Sequence, residues 1–406
     1  MILPGRLWVR VDLKPAIDII GKERCAGCFG CYNSCPEDAI TMKLDDDGFY
    51  MPEIDREKCT ECGICEKHCP VITVKNVNSP KPKFHAARTN DAELLMKSSS
   101  GGIFGEIARY VLGKGGVVYG AGWNEKLELV HKRIDGVSKL PSIMGSKYIQ
   151  SDIGRTYTEI IALAREGRMV LFCGTPCQVA ALNLFMDDKT RQNVLECDLI
   201  CHGVASTSVL NYYLKGFKRE VKDISFRSKK NGWADFSMEI RFLDGNYLKS
   251  HKTDMFMKGF LKNIYLRKAC YDCPFASMPR HGDVTLGDLW GAEKEYYDHN
   301  GVSIILENSP DGGKVIEQLV KAGKIKVKDY PGEKAIQNNP RIARGKLEIP
   351  KQRKDFLRDA RTKTFDEVFK IYIDNQNIIK SIKMKLSYKK FKKIQKQRKK
   401  DWHGFD

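Results

Sequence analysis

The chain lacks a clean apolar run of membrane-spanning length. Its longest uncharged stretch, MVLFCGTPCQVAALNLFM from Met169 to Met186, is broken in the middle by Gly174, Thr175, Pro176 and Gln178. That pattern favours a buried strand, a turn and a helix over a span. A secretory signal is not expected, because the opening MILPGRLWVRVDLKPAIDII interrupts its apolar residues with Arg6, Arg10 and Lys14. No G-x-G-x-x-G fingerprint stands between a strand and a helix, so an ordinary dinucleotide fold is not supported. Acid is missing from one place above all. Lys380 to Lys400 holds eleven basic residues and no Asp or Glu, and without that run the formal net charge would fall from +18 to +7.

Cysteine, by contrast, is plentiful, with 14 in 406 residues. Disulfide frameworks concentrate in small secreted domains, which a chain of this length is not. The cysteines cluster in C-x-x-C spacing, which points to metal in a reducing compartment. A cytoplasmic protein of two or three domains is the expectation.

An internal repeat fills the first part of the chain. CAGCFGCYNSCP and CTECGICEKHCP both match C-x2-C-x2-C-x3-C-P and lie 34 residues apart. A cubane needs four thiolates at tetrahedral corners. The close-spaced triple wraps three of them, and the fourth cysteine of each run serves the other cluster. Cys25, Cys28, Cys31 and Cys69 are therefore assigned to one 4Fe–4S cluster, and Cys59, Cys62, Cys65 and Cys35 to the other. Zinc is the alternative, but its sites usually combine two cysteines with a distant pair.

The boundaries read as follows. Residues 1–20 form an extension without an evident role, 21–77 a ferredoxin-like domain, and 78–83 a linker with two prolines, NSPKPK. From Phe84, short strands alternate with helices: VVYGAG, RMVLFC and NVLECDLIC read as strands. GGIFGEIARYVLGKGG, GRTYTEIIALAREG, PCQVAALNLFM and STSVLNYYLKGF read as helices. The alternation predicts an α/β domain over 84–345, behind the small α+β unit. FSMEIRFLDGNYLKSH reads as a hairpin turning at Asp244-Gly245, so the sheet is expected to be mixed. Residues 346–406 form a basic, helical tail.

Three further stretches carry cysteines: LFCGTPCQVAAL, CDLICHGVAS and CYDCPFA. A fourth, MKSSSGGIFGEIA, opens a helix with small residues, where backbone N–H groups can approach a phosphate. GSKYIQSD adds a cation, Lys147, and polar side chains. With SSSGG, GSKYIQSD, GTPCQVAAL, DLICHGVAS, CYDC and GDVTLGDLWG in that order, residues 84 to about 345 resemble the family of coenzyme F-420 hydrogenase and dehydrogenase beta subunits. A fused ferredoxin unit also occurs in that family.

The resemblance implies FAD and a third 4Fe–4S cluster. Cys270 and Cys273 would be half of its ligands, with Cys177 and Cys201 the other half and zinc the alternative. Cys173 and Cys197, at positions variable in the family, read as buried apolar cysteines. Ser99, Ser100, Gly101 and Gly102 would lie near the FAD phosphates, and Lys147, Tyr148, Gln150 and Ser151 would form a second contact group. Thr175, Pro176 and Gln178 would adjoin both cluster and flavin. His202 and Asp288 are candidates for flavin or substrate, or simply structural. No catalytic side chain is singled out.

The activity so implied is electron transfer between reduced coenzyme F-420, ferredoxin or flavodoxin, the FAD and clusters, and an unidentified acceptor. The alternative is an electron-relay subunit without a substrate of its own. The basic run also holds Met384, Tyr388 and Phe391 at i, i+4, i+7. It suits an anionic membrane surface on the cytoplasmic side or an acidic redox partner. Nucleic acid is not expected, since no recognised binding fold accompanies it.

Overall fold

The computed structural model describes residues 13–75 and 78–374. The basic run 380–400 lies outside the described residues, as does most of the opening extension.

In the repeat, each cysteine triple leads into a short helix, Gly30–Ser34 and Ile64–Lys67. An antiparallel pair, β1 (Ile40–Leu44) and β2 (Tyr50–Ile54), joins the halves. The duplication extends to the backbone. Gly27 and Phe29 have φ of 61° and 67°, and the residues that correspond in the second run, Glu61 and Gly63, have 53° and 71°. Left-handed residues alternating with ordinary ones turn successive N–H groups inward, forming an anion-binding concavity. The helix Ala16–Arg24 falls partly in the expected extension, yet Ala16 and Ile20 are buried with Cys25, Cys65 and Cys69. Their i, i+4 spacing gives the helix one apolar face, and the cysteine-lined interior is what that face covers.

The remaining chain builds two sheets. Its strands are β3 (Lys83–Thr89), β4 (Val117–Trp123), β5 (Leu129–Ile134), β6 (Val170–Gly174), β7 (Val194–Leu199), β8 (Val221–Ser228) and β9 (Ser237–Phe242). There follow β10 (Gly245–Ser250), β11 (Val284–Asp288), β12 (Ser303–Glu307) and β13 (Ile325–Asp329). The larger sheet has the order β13-β3-β12-β11-β7-β6-β4-β5. Its centre, β4-β6-β7-β11, is parallel, and its outer pairings are antiparallel. The uncharged run 169–186 resolves into β6, a turn and the helix Pro176–Asn183. Among the described residues, no helix is long and apolar enough to cross a membrane.

Helices cover both faces of this sheet. Ile103–Gly113 and Pro310–Lys321 pack on one. On the other, Thr156–Arg165 and Pro176–Asn183 share a core with Cys28 and Phe29 of the ferredoxin-like unit. The expected mixed sheet is present, but not through the hairpin that suggested it. That hairpin, β9–β10, joins β8 in a separate three-stranded sheet, and its loop residues are Leu243 and Asp244. The smaller sheet packs on Thr207–Lys215, Met255–Leu261 and the helices Arg353–Asp359 and Phe365–Phe369. The first part of the region read as a basic tail is thus core: Phe356, Val368 and Ile373 are buried there.

The N-terminal unit is bonded firmly to the rest. Tyr157 Oη donates to the Cys28 carbonyl at 2.8 Å. Gln150 Nε2 donates to the Ala26 and Gly27 carbonyls. The β1–β2 turn reaches the start of helix Thr207–Lys215, where Ser206 Oγ donates to the Asp47 carbonyl and the Thr207 N–H to that of Gly48.

Candidate functional site

Two cavities lie inside the N-terminal unit. One, of about 350 Å³, is lined by Cys25, Cys28, Cys31 and Cys69. The other, of about 360 Å³, is lined by Cys35, Cys59, Cys62 and Cys65. The fourth cysteine of each run crosses to the other run's triple because the two short helices pack tightly, each carrying its chain away from its own triple. A Cβ on Gly30 would stand 2.3 Å from the His68 carbonyl oxygen.

The donor chemistry suits iron–sulfur clusters. Backbone N–H groups of Gly27, Ala39 and Ala16 point at the sulfurs of Cys25, Cys35 and Cys65 at 3.3–3.4 Å. Burial pushes up the thiols of Cys25, Cys28, Cys65 and Cys69, and neighbouring thiols push the same way. Four crowded thiols release their protons there only to a strongly cationic centre. Among the described residues, no three Cys, His, Asp or Glu side chains close on a single metal ion. Each quartet instead lines a space fit for a group with several metals and its own sulfide.

A third cysteine group forms where three loops meet. Cys177 opens the helix Pro176–Asn183, Cys201 follows β7, and Cys270 and Cys273 flank a tight turn. After burial, Cys273 is the largest charge acting on Cys177, Cys201 and Cys270, and the Cys270 thiol is pushed up to about 12. Arg341 fastens these loops. Its guanidinium donates to the carbonyls of Cys201 and Cys270, both at 3.2 Å, and of Gly345 at 2.5 Å. The Gly345 carbonyl also accepts the Cys273 N–H, and a Cβ on Gly345 would lie 2.2 Å from the Cys273 oxygen. Sequence reasoning missed Arg341, because nothing in PRIARGK separates it from a solvated arginine. Cys173 and Cys197 stand opposite one another on β6 and β7 and face the helix Ile103–Gly113. Cys177 and Cys28 lie on the other side of the sheet.

The three groups occur in series. Cys65 acts on Cys31, joining the two N-terminal sets, and Cys28 acts on Cys177, joining the second to the third. At the outer end Cys62 is exposed.

The residues expected around a flavin divide into two sets. In one, Ser99 Oγ accepts the Ser146 N–H at 2.7 Å, and Ser100 Oγ donates to the Val302 carbonyl. Gly101 presses on β3 and β12, where a Cβ would meet the Ala87 oxygen at 2.4 Å. Gly102, with φ of 83°, begins the helix Ile103–Gly113 without a side-chain cap, so its first N–H groups are open to an anion. Lys147 Nζ donates to the carbonyls of Ala121 and Met144, and burial lowers its pKa to about 7. Tyr148 stacks on Phe260 at 4.5 Å, and His202, beside Cys201, meets the same ring at 5.1 Å. The His202 Nε2 bonds Asn263.

The other set is engaged within the protein. Gln150 is turned to the Cys25–Cys31 loop. Ser151 bonds His131, and Gln178 Nε2 donates to Ser151. Thr175 and Gln178 cap a helix that has Pro176 in its first turn. Asp288 is gripped by both ends of the Arg227 guanidinium, at 2.8 and 2.9 Å, and by Trp233 Nε1 at 2.7 Å.

Comparison with known proteins agrees with this division of the chain. Residues 24–72 match the family model of the 4Fe-4S dicluster domain. Residues 167–333 match the family model of the C terminus of the coenzyme F420 hydrogenase/dehydrogenase beta subunit. An F(420)H(2) dehydrogenase subunit of Methanosarcina mazei is 24% identical over 233 residues, which are 52% of this chain and 64% of the relative. The chain thus spans less than two thirds of that relative's length. A pyruvate synthase subunit of Methanocaldococcus jannaschii is 38% identical over 63 residues, 16% of this chain and 69% of the relative. A chain of the F420-reducing NiFe hydrogenase complex from Methanosarcina barkeri is 17% identical, with 66% of this chain and 93% of that one covered and a TM-score of 0.46, too loose a likeness to carry weight. The cysteine framework and both family matches lead to one assignment: the chain belongs to the family of coenzyme F-420 hydrogenase/dehydrogenase beta subunits and carries a 4Fe–4S dicluster domain at its N-terminal side.

Proposed function

We propose that the chain is an iron–sulfur flavoprotein oxidoreductase holding three 4Fe–4S clusters and one FAD. The observation that carries this reading is the serial order of the three cysteine groups, from exposed Cys62 to buried Cys201. Cys35, Cys59, Cys62 and Cys65 would hold the outer cluster, and Cys25, Cys28, Cys31 and Cys69 the middle one. Cys177, Cys201, Cys270 and Cys273 would hold the inner one. Ser99 to Gly102 and Lys147 would meet the FAD phosphates, since an uncapped helix start and a buried ammonium bonded only to carbonyls both favour an anion. Tyr148 and His202 would border the ring system on the side of Cys201. Bound there, FAD exchanges electrons in pairs with a substrate and singly with clusters. The protein's part is to fix the groups in sequence, keep the inner ones from water and leave Cys62 near the surface for a partner.

Reduced coenzyme F-420, ferredoxin or flavodoxin would supply electrons to an acceptor not yet identified. The exposed outer end favours a second reading, an electron-relay subunit whose partner performs the chemistry. The M. mazei relative bears the name of a dehydrogenase subunit. Anaerobic purification with iron, sulfide and flavin quantitation tests the first reading. About twelve irons by cluster stoichiometry and one flavin are expected. A chain without iron overturns the cluster assignment, and full iron without flavin leaves the relay reading. Turnover of the isolated chain with an artificial donor and candidate acceptors then separates enzyme from relay.

A further inference from the structure

Arg267 is among the most deeply buried large side chains, at 1% exposure, and each of its hydrogen-bond partners is neutral. One guanidinium nitrogen donates to the Cys25 carbonyl at 3.1 Å and approaches the Met51 sulfur at 3.7 Å. The other donates to the Tyr50 carbonyl at 2.9 Å and to Gln150 Oε1 at 2.6 Å. Its Nε has no hydrogen-bond partner. Gly27 lies directly beneath it: a Cβ there would come within 2.6 Å of the guanidinium. Asp45 is near enough to act on Cys25, but its carboxylate accepts the N–H groups of Asp47 and Phe49 in its own turn.

A cation taken from water into a protein interior is costly unless an anion answers it. Neutral carbonyls do so only in part. The remaining anion is at hand, because a cubane with four thiolates is negatively charged and gains a further negative charge on reduction. Arg267 also stands three residues before Cys270, with its main chain bonded to Val204 and Cys270. One residue therefore has its backbone in the inner cysteine loop and its charge against the middle one.

Resting on the cluster assignment above, we propose that Arg267 is the counter-ion of the cluster held by Cys25, Cys28, Cys31 and Cys69, and raises that cluster's reduction potential relative to the outer one. A fixed positive charge favours the more negative, reduced form. The Gln150 amide holds the guanidinium in place and, being neutral, leaves its charge uncompensated.

The test is a redox titration of the full, iron-loaded chain followed by electron paramagnetic resonance. The outer cluster is recognised as the signal that Cys62→Ser alters. Arg267→Gln is expected to lower the potential of the middle cluster and leave that of the outer one unchanged, while Arg267→Lys keeps both near wild type. Gln150→Glu, nearly isosteric, puts a carboxylate on the guanidinium and is expected to lower the same potential with Arg267 still in place. It decides the matter if Arg267→Gln does not take up iron. Full iron with an unmoved middle potential in Gln150→Glu overturns the proposal but leaves the cluster assignment standing. Equal shifts of both clusters also overturn it, as a general loosening would produce them. A wild-type chain without two distinguishable N-terminal cluster signals overturns the assignment itself.

Discussion

At the scale of single residues, the third cysteine group gives the sharpest expectation. Cys273 acts on each of Cys177, Cys201 and Cys270. Cys273→Ala should therefore lower iron content by about four per chain, one cubane, and spare the two N-terminal clusters. Iron quantitation beside the resonance spectrum checks this, and unchanged iron removes Cys273 from the ligand set. His131 carries a pH dependence. Its Nε2–H donates to the Cys173 carbonyl, so its Nδ1 accepts from Ser151 Oγ, and the ring is held neutral. Burial lowers its pKa to about 4 from the ordinary 6.5. Between these values the unfolded chain binds the proton and the folded one does not. Stability is thus full above the upper value and is lost as pH falls toward the lower. Denaturant midpoints from pH 7 to 5.5 should fall less steeply in His131→Gln than in wild type; parallel slopes would exclude His131 as a source.

At the scale of elements, glycines separate close packing from local propensity. Alanine is the better helix former by about 1 kcal/mol. Gly30→Ala should nevertheless destabilise by about 1–3 kcal/mol, an ordinary overpacking cost, because its Cβ would meet the His68 carbonyl at 2.3 Å. Gly113, at the end of helix Ile103–Gly113, has nothing within 4 Å of such a Cβ. Gly113→Ala should stabilise by up to about 1 kcal/mol. Melting curves of the two variants should move in opposite directions, and a Gly30→Ala protein that melts like wild type would contradict the tight packing of the two short helices.

At the scale of the whole molecule, the N-terminal unit has its own core, made of Ala16, Ile20, Ile40 and the cysteines. A segment of residues 13–75, reconstituted anaerobically, is expected to hold about eight irons, two cubanes. A segment beginning at residue 21 should retain less, since it loses Ala16 and Ile20 and the N–H bonded to Cys65. Equal iron in the two segments would show that the helix Ala16–Arg24 is dispensable.

The sequence by itself determined the metal-binding framework, because thiolate ligands for a cubane need fixed spacings and those spacings are local. It also determined the alternation of strands and helices, since apolar periodicity is a property of each segment. Sheet membership was not legible: β9 and β10 have an ordinary hairpin pattern, and only the packing of helices Thr207–Lys215 and Met255–Leu261 sets them apart from the larger sheet. The division of the expected flavin residues was equally hidden. Nothing near Gln150 says that its amide meets Gly27, 123 residues away. Arg267 and Arg341 were invisible for the same reason. A buried arginine differs from a solvated one only by what surrounds it, and its surroundings here are carbonyls from distant loops. Local chemistry writes itself into neighbouring letters, whereas burial and charge pairing arise only when the chain closes on itself.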